Sequence, residues 1–239
     1  MHLTSGEIHS ASMRLEYAQP EEVLAWAFDA FSDNIVTGTG FGLSGVALMH
    51  MLAKVQPKAV VFYLDTDLLF PETYALKNKL EERLDIEIVR IHPGLSLQEQ
   101  ARWEGETLWR SDPDRCCFLR KVQPLRQFLA SKDAWITGIR RDQALTRRNT
   151  AIVEWDETHN LVKINPMASW TETKVREYIR RHDLPYNPLH DQGYPSIGCM
   201  PCTKPVKNGQ DIRSGRWQGH EKTECGIHLY IPDRKATGS

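Results

Sequence analysis

The sequence predicts an α/β fold: a doubly wound, mainly parallel sheet finished by an irregular C-terminal arm. Three observations carry that expectation. Short β-branched apolar runs alternate with helical patterns along most of the chain. A glycine-rich turn separates the first run from the helix that follows it. Beyond residue 184 periodicity gives way to a stretch punctuated by Pro185, Pro188, Pro195, Pro201 and Pro205.

In chain order, residues 1–24 are expected to form an N-terminal extension and 25–184 the α/β domain. Residues 185–239 are expected to be a mobile arm belonging to that same domain. The runs 35–37, 60–64, 86–91 and 134–137 read as buried parallel strands, because each is short, β-branched and closed by a turn or breaker residue. Residues 46–52 are apolar without Gly or Pro and read as helix. Residues 71–84 open with Pro71 and Glu72, a favourable first turn, and carry Leu76, Leu80 and Leu84 on one face. Residues 118–128 read as one helix. Thr171 reads as the N-cap of a helix whose inner face is Val175, Tyr178 and Ile179, ending before Pro185. Parallel βαβ units place ligands at the C-terminal ends of the strands.

The 239 residues suffice for one sizeable core. Thirty basic against 31 acidic residues give a net charge of −1, which argues against a sequence-independent nucleic-acid binder. Arg and Lys nevertheless gather in 140–148 and 204–216, which suits a small, locally bound anion. No apolar run approaches the roughly 20 residues of a membrane helix, and the N-terminus has no apolar core of a signal peptide. A cytoplasmic protein without membrane or nucleic-acid partners is expected.

The turn Gly38-Thr39-Gly40-Phe41-Gly42-Leu43-Ser44-Gly45 fits G-x-G-x-x-G through Gly40, Gly42 and Gly45, and Asp65 stands 20 residues beyond Gly45. Glycines let backbone N–H groups approach a phosphate at a helix N-terminus. On these residues alone, a dinucleotide site, another nucleotide-phosphate loop and a merely tight β–α turn all remain open.

The five cysteines fall into an adjacent pair, Cys116-Cys117, a Cys-x-x-Cys at Cys199 and Cys202, and a lone Cys225. Two close pairs suit zinc or an iron–sulfur centre, while inert thiols are the bland alternative. Cys225 lies in Glu224-Cys225-Gly226-Ile227-His228, a polar, Gly-containing setting unlike that of a core thiol. Lys222, His228 and the Arg-rich arm are expected to supply cations that favour its thiolate. Trp103, Trp109 and Trp155 are expected to be packing residues. His92 and His159 are expected to have no catalytic work, and Arg141 and Arg148 to be solvated cations.

Taken in order along the chain, several segments resemble one family. These are Leu64-Asp65-Thr66 with Leu69-Phe70-Pro71-Glu72-Thr73-Tyr74; Cys116-Cys117 with Arg120-Lys121-Val122; and Trp135-Ile136-Thr137-Gly138-Ile139-Arg140-Arg141-Asp142-Gln143 with Thr146-Arg147. Pro185-Tyr186-Asn187-Pro188-Leu189-His190, Tyr194-Pro195-Ser196-Ile197-Gly198-Cys199, Pro201-Cys202-Thr203, Arg213-Ser214-Gly215-Arg216-Trp217 and Lys222-Thr223-Glu224-Cys225-Gly226-Ile227-His228 follow. The chain resembles the assimilatory sulfonucleotide reductases, specifically their iron–sulfur branch, over residues 25–229. One departure stands out: where that family usually has an acidic pair in its phosphate loop, this chain has Ser44 and Gly45.

The resemblance implies an adenine nucleotide alpha-hydrolase-like fold and a cytoplasmic enzyme of sulfate assimilation. It implies one 4Fe-4S cluster per chain on Cys116, Cys117, Cys199 and Cys202. The implied reaction is reduction of adenosine 5'-phosphosulfate (APS) to sulfite and AMP, with Cys225 as nucleophile, an S-sulfocysteine intermediate and thioredoxin or glutaredoxin as reductant. A cluster-bearing reductase of the 3'-phosphorylated nucleotide (PAPS) is the alternative. Matched substrate-binding residues are Gly40 and Gly42 in the phosphate loop, and Leu64, Thr66 and Gly138 at strand ends near adenine and ribose. Lys121, Arg147, Arg213 and Arg216 would bind the anions. The oligomeric state, homo-oligomers included, is left open.

Overall fold

The protein is represented by a computed structural model that describes residues 3–207 and 210–228. Two helices, α1 (Ser5–Leu15) and α2 (Pro20–Phe31), precede the first strand. Each begins with a reciprocal cap: Glu7 accepts the Thr4 N–H at 2.7 Å while Thr4 Oγ1 accepts the Glu7 N–H, and Glu22 accepts the Gln19 N–H at 2.6 Å. Ile8, Leu15, Val23 and Leu24 join the main core, and α2 runs through residue 24, so the segment expected as an extension packs with the rest.

The chain then alternates through β1 (Ile35–Thr39), α3 (Leu43–Val55), β2 (Val61–Leu64), α4 (Pro71–Leu84) and β3 (Ile88–Ile91). Short helices α5 (Leu97–Glu104), α6 (Leu108–Ser111) and α7 (Pro113–Cys117) lead to a π-helical turn, Phe118–Val122, and to α8 (Gln123–Leu129). The helix expected over 118–128 is present but passes through this π-turn. Pro124 has no N–H to return to the preceding turn, and the Gln123 N–H reaches back five residues to Phe118. Strand β4 (Ala134–Ile136) is followed by a hairpin, β5 (Val153–Asp156) and β6 (Leu161–Ile164), and by α9 (Glu172–Arg181). The Thr171 hydroxyl caps α9 by accepting the Lys174 N–H at 3.3 Å.

The sheet order is β3-β2-β1-β4-β6-β5, parallel except where β5 runs against β6. The order reverses between β1 and β4, which opens a crevice at their C-terminal ends. One face of the sheet packs on α2, α3 and α9, with Val46, Met49, Ile136, Ile164 and Val175 in that core. The other carries Val36, Phe62, Trp135 and Leu161 against Leu125 and Leu129 of α8.

The loop after β2 is held by one buried side chain. Arg120 is 2% exposed and donates to the Thr66 carbonyl at 2.6 Å, Asp67 Oδ2 at 2.5 Å and Gln100 Oε1 at 3.1 Å. Arg120→Met would strip the Thr66 carbonyl and Gln100 of this donor and leave Asp67 only Arg90 and His92, and should cost roughly 3 kcal/mol. Thermal unfolding should show a midpoint about 6–12 °C lower; a midpoint within a degree or two of wild type would show that the loop is held by other means.

Candidate active site

A cavity of about 280 Å³ occupies the crevice. Its floor is the glycine turn between β1 and α3, where Gly40 and Gly42 both reach the wall and Gly42 is the N-cap of α3. Phe41 takes a left-handed conformation (φ 58°), costing roughly 1–2 kcal/mol. Burial of its ring, which meets Tyr63 edge-on with centroids 5.3 Å apart, offsets that. A Cβ on Gly45 would lie 2.7 Å from Thr39 Oγ1, the atom that accepts the Phe41 N–H at 3.1 Å. A side chain at 45 would therefore have to displace the Thr39 hydroxyl from this bond. Ser44 accepts hydrogen bonds from Arg140 and, at 3.4 Å, from Gln143, joining this turn to the loop after β4.

Asp65, the acidic residue of the dinucleotide pattern, does not reach the cavity wall. It is 2% exposed and accepts from Tyr74 at 2.6 Å, Arg90 at 2.6 Å and the Asp67 N–H at 3.0 Å. Burial opposes its charge, but these donors hold its carboxyl below the usual range. It is an anchor for the loop after β2. Of the residues expected to meet substrate, Leu64 and Gly138 line the cavity and Thr66 does not. The Thr66 hydroxyl lies 3.3 Å from Cys199 Sγ.

Cys116, Cys117, Cys199 and Cys202 all line a second, much smaller cavity of about 10 Å³, walled by Leu68, Trp109 and Trp217. The first pair sits on α7, which starts at Pro113 and is capped by Asp112 accepting the Arg115 N–H at 2.9 Å. The second pair is brought over by a bridge between Leu69 and Cys199, with the Met200 N–H donating to the Leu68 carbonyl at 2.7 Å. Burial and repulsion from Cys117, Cys199 and Cys202 push the Cys116 thiol up to about 12, and burial pushes Cys117 up to about 11. Cys199 goes the other way: burial is outweighed by Lys121, the Thr66 hydroxyl and Arg216. Among the described residues, no three His, Cys, Asp or Glu side chains are gathered to hold a single metal ion.

Cys225 is half-buried in the wall of the large cavity. Ties on both sides hold its arm. Lys222 pairs with Asp114, just before the first cysteine pair. Glu224, 4% exposed, accepts from Arg147 Nε at 2.9 Å and Nη2 at 2.8 Å, from Arg213 at 3.0 Å and from Thr146 at 3.2 Å. Ile227 packs with the Trp135 core, and the His228 ring stacks on Trp135 with centroids 5.3 Å apart. Burial, reinforced by Lys163 and Arg147, drives the His228 pKa well below its ordinary value. His228 is therefore neutral and Lys222 is engaged, so neither is the free cation expected beside Cys225.

The cations divide by their partners. Arg147 and Arg213 line the cavity, but their guanidinium groups are spent on Glu224. Arg216 lies over the Trp217 ring at 4.5 Å and donates to Ser196 at 3.3 Å; Lys121 lines both cavities. Among the described residues neither has a carboxylate partner. Burial works against the Lys121 charge, but the thiols of Cys199, Cys117 and Cys225 outweigh it and raise its pKa. Arg140, Trp135 and His190 also line the cavity; the sequence reading gave them no role of their own. Arg141 pairs with Glu16, His92 with Asp67 and His159 with Asp156. Trp103, expected to pack, is 82% exposed.

Comparison with known proteins bears on this arrangement. The family described as "Phosphoadenosine phosphosulfate reductase domain" matches residues 34–205. The chain belongs to that family. A relative from Salinibacter ruber named adenosine 5'-phosphosulfate reductase is 54% identical, over 96% of this chain and 92% of its own. A protein of the same name from Bacillus mycoides is 47% identical, over 87% and 89%. Among solved structures, the phosphoadenylyl-sulfate reductase of Candida auris superposes with TM-score 0.76 at 31% identity, covering 86% of this chain and 99% of that one. The FMN adenylyltransferase of Candida glabrata shares the fold, with TM-score 0.60 at 14% identity over 97% and 81%. The reductase fold is thus of the adenine nucleotide alpha-hydrolase type.

Gly198 gives a direct test of the Arg216 position, because an added Cβ would collide with the Arg216 guanidinium and not with backbone. Gly198→Ala should keep the melting temperature within a few degrees yet weaken binding of a sulfonucleotide or AMP, as a displaced charge-assisted contact would, by roughly 1.5–3 kcal/mol. Isothermal titration would check this. Unchanged affinity would mean that Arg216 does not meet the ligand.

Proposed function

We propose that this reductase-family protein converts APS to sulfite and AMP, with Cys225 as the nucleophile. The carrying observation is that Cys225 shares one cavity with the Gly40–Gly42 turn and with Lys121 and Arg216, two cations without carboxylate partners among the described residues. The nucleotide would lie across the strand ends, with backbone at Leu64 and Gly138 beside adenine and ribose and its phosphate over the glycine turn. Lys121 and Arg216 would offset the repulsion between an anionic sulfonucleotide and an approaching thiolate. The high identity to relatives named for APS supports that substrate over PAPS.

In the reaction proposed, the Cys225 thiolate attacks the sulfate sulfur and the S–O bond to the nucleotide breaks. AMP departs with that electron pair, leaving an S-sulfocysteine. One thiolate of a thioredoxin- or glutaredoxin-type dithiol then attacks Cys225 Sγ and sulfite leaves. The second thiol resolves the mixed disulfide, which returns Cys225 and oxidises the dithiol by two electrons. The five free thiols suit a reducing, cytoplasmic setting.

Cys116, Cys117, Cys199 and Cys202 fit a 4Fe-4S cluster: all four line one small cavity, and burial opposes the thiolates of Cys116, Cys117 and Cys202, which a bound metal charge would compensate. When bound, such a cluster would fasten the two cysteine segments together and set the potential that Lys121 feels.

Two measurements test this reading. Protein purified without oxygen should contain about four iron and four sulfide per chain; stoichiometric zinc without sulfide would contradict the cluster. Incubation with APS and no dithiol should add about 80 Da at Cys225, removable by a dithiol, with Cys225→Ser showing neither adduct nor sulfite release. An adduct on any other residue would refute the mechanism while leaving the fold untouched.

A further inference from the structure

Glu224 precedes the nucleophile and is among the most heavily bonded side chains of the arm. Its carboxylate sits between two guanidinium groups and a hydroxyl, nearly inaccessible to water. Burial alone would raise its pKa, yet the bonds from Arg147 and Arg213 lower it, so it is held as an anion. The other ties are of a different kind. Lys222 pairs with an Asp114 side chain that is 57% exposed, where solvent weakens an ion pair. Ile227 and His228 make apolar and stacking contacts, and among the described residues only single bonds reach the arm's backbone, from Arg213 to the Thr223 carbonyl at 2.9 Å and from Lys163 to the His228 carbonyl at 3.3 Å. The bidentate Arg147 bond spans 77 residues of chain, and with Arg213 it pins the residue next to Cys225 to two cavity-lining cations.

We propose that Glu224 is a positioning residue, a latch that holds the cysteine arm closed so that Cys225 faces the cavity. By the same bonds it withdraws Arg147 and Arg213 from the cations free to bind substrate anions. The proposal rests on the reading of Cys225 as nucleophile only for its kinetic half. The latch itself is a property of the substrate-free protein. A latched arm also keeps Cys225 turned inward, so a protein dithiol reaches it only after Glu224 releases.

Backbone hydrogen exchange over residues 221–228, followed by mass spectrometry on anaerobically purified protein without substrate, tests the latch directly. Glu224→Gln should raise exchange there at least about tenfold, as loss of a charge-assisted bond does, while the strands of the sheet keep their protection. Exchange within about twofold of wild type would overturn the proposal. Should that variant not fold, Thr146→Val, which removes one donor, decides in its place: a rise of about two- to threefold supports the latch, and no change refutes it. In single turnover, Glu224→Gln should slow formation of the Cys225 adduct about tenfold, with nucleotide affinity equal or tighter and dithiol-driven release no slower. Faster exchange with adduct formation unchanged would refute the positioning role. Absence of any adduct in wild type would instead count against the reductase mechanism, and the exchange result would still judge the latch.

Discussion

The carbonyl of Thr66 and the carboxylate of Asp67 meet on a single guanidinium, Arg120, and the arrangement of both cavities follows from that joint. A buried cation is costly unless its donors are all used, and here the strand-end loop supplies the acceptors. Asp67 takes a left-handed conformation (φ 55°), which turns the chain so that Leu69 can bridge to Cys199. Arg120 also follows Cys116 and Cys117 closely in sequence. The same side chain therefore fixes the first cysteine pair against the loop that receives the second.

Charge in the crevice is sorted by pairing and not by amount. The clusters at 140–148 and 204–216 look alike in sequence. In the folded chain Arg141 turns away to Glu16, Arg140 pairs with Asp142, and Arg147 and Arg213 converge on Glu224. Among the described residues, those left without a carboxylate partner beside the glycine turn are Arg216 from one cluster and Lys121 from neither. A net charge of −1 for the whole chain thus coexists with a locally positive, partly buried recess, where Coulombic terms are stronger than in water.

Elements with strong local signals were legible before any coordinates. Helix α4 has the bounds that Pro71 and the Leu spacing imply, and four of the five parallel strands lie where the β-branched runs were read. The β5–β6 hairpin was not, because Val153–Asp156 mixes Glu and Asp with apolar residues and its burial comes from packing against α1. Within the site, the cysteine pairs stood out by spacing and line one small cavity, while Cys225 stood out by its polar, Gly-containing setting. Thr66, expected to offer backbone at a strand end, lies outside the cavity wall and turns its hydroxyl to Cys199, a direction that strand position does not encode. The Glu224 contacts were invisible for another reason: they join residues 77 and 11 apart that follow no periodic pattern.

Strand β5 is one of the two outer members of the sheet, and outer strands invite pairing with other chains. Here α1 lies against it, and the Ser12 hydroxyl accepts the Val153 N–H at 3.3 Å. Ile8, Ala11 and Leu15 are buried on the same helix. Removing α1 would leave every residue of both cavities in place while baring an apolar strip and a free strand edge. The damage would be colloidal: such a shortened chain would tend to precipitate long before its chemistry failed, which makes these first helical turns the guardians of solubility.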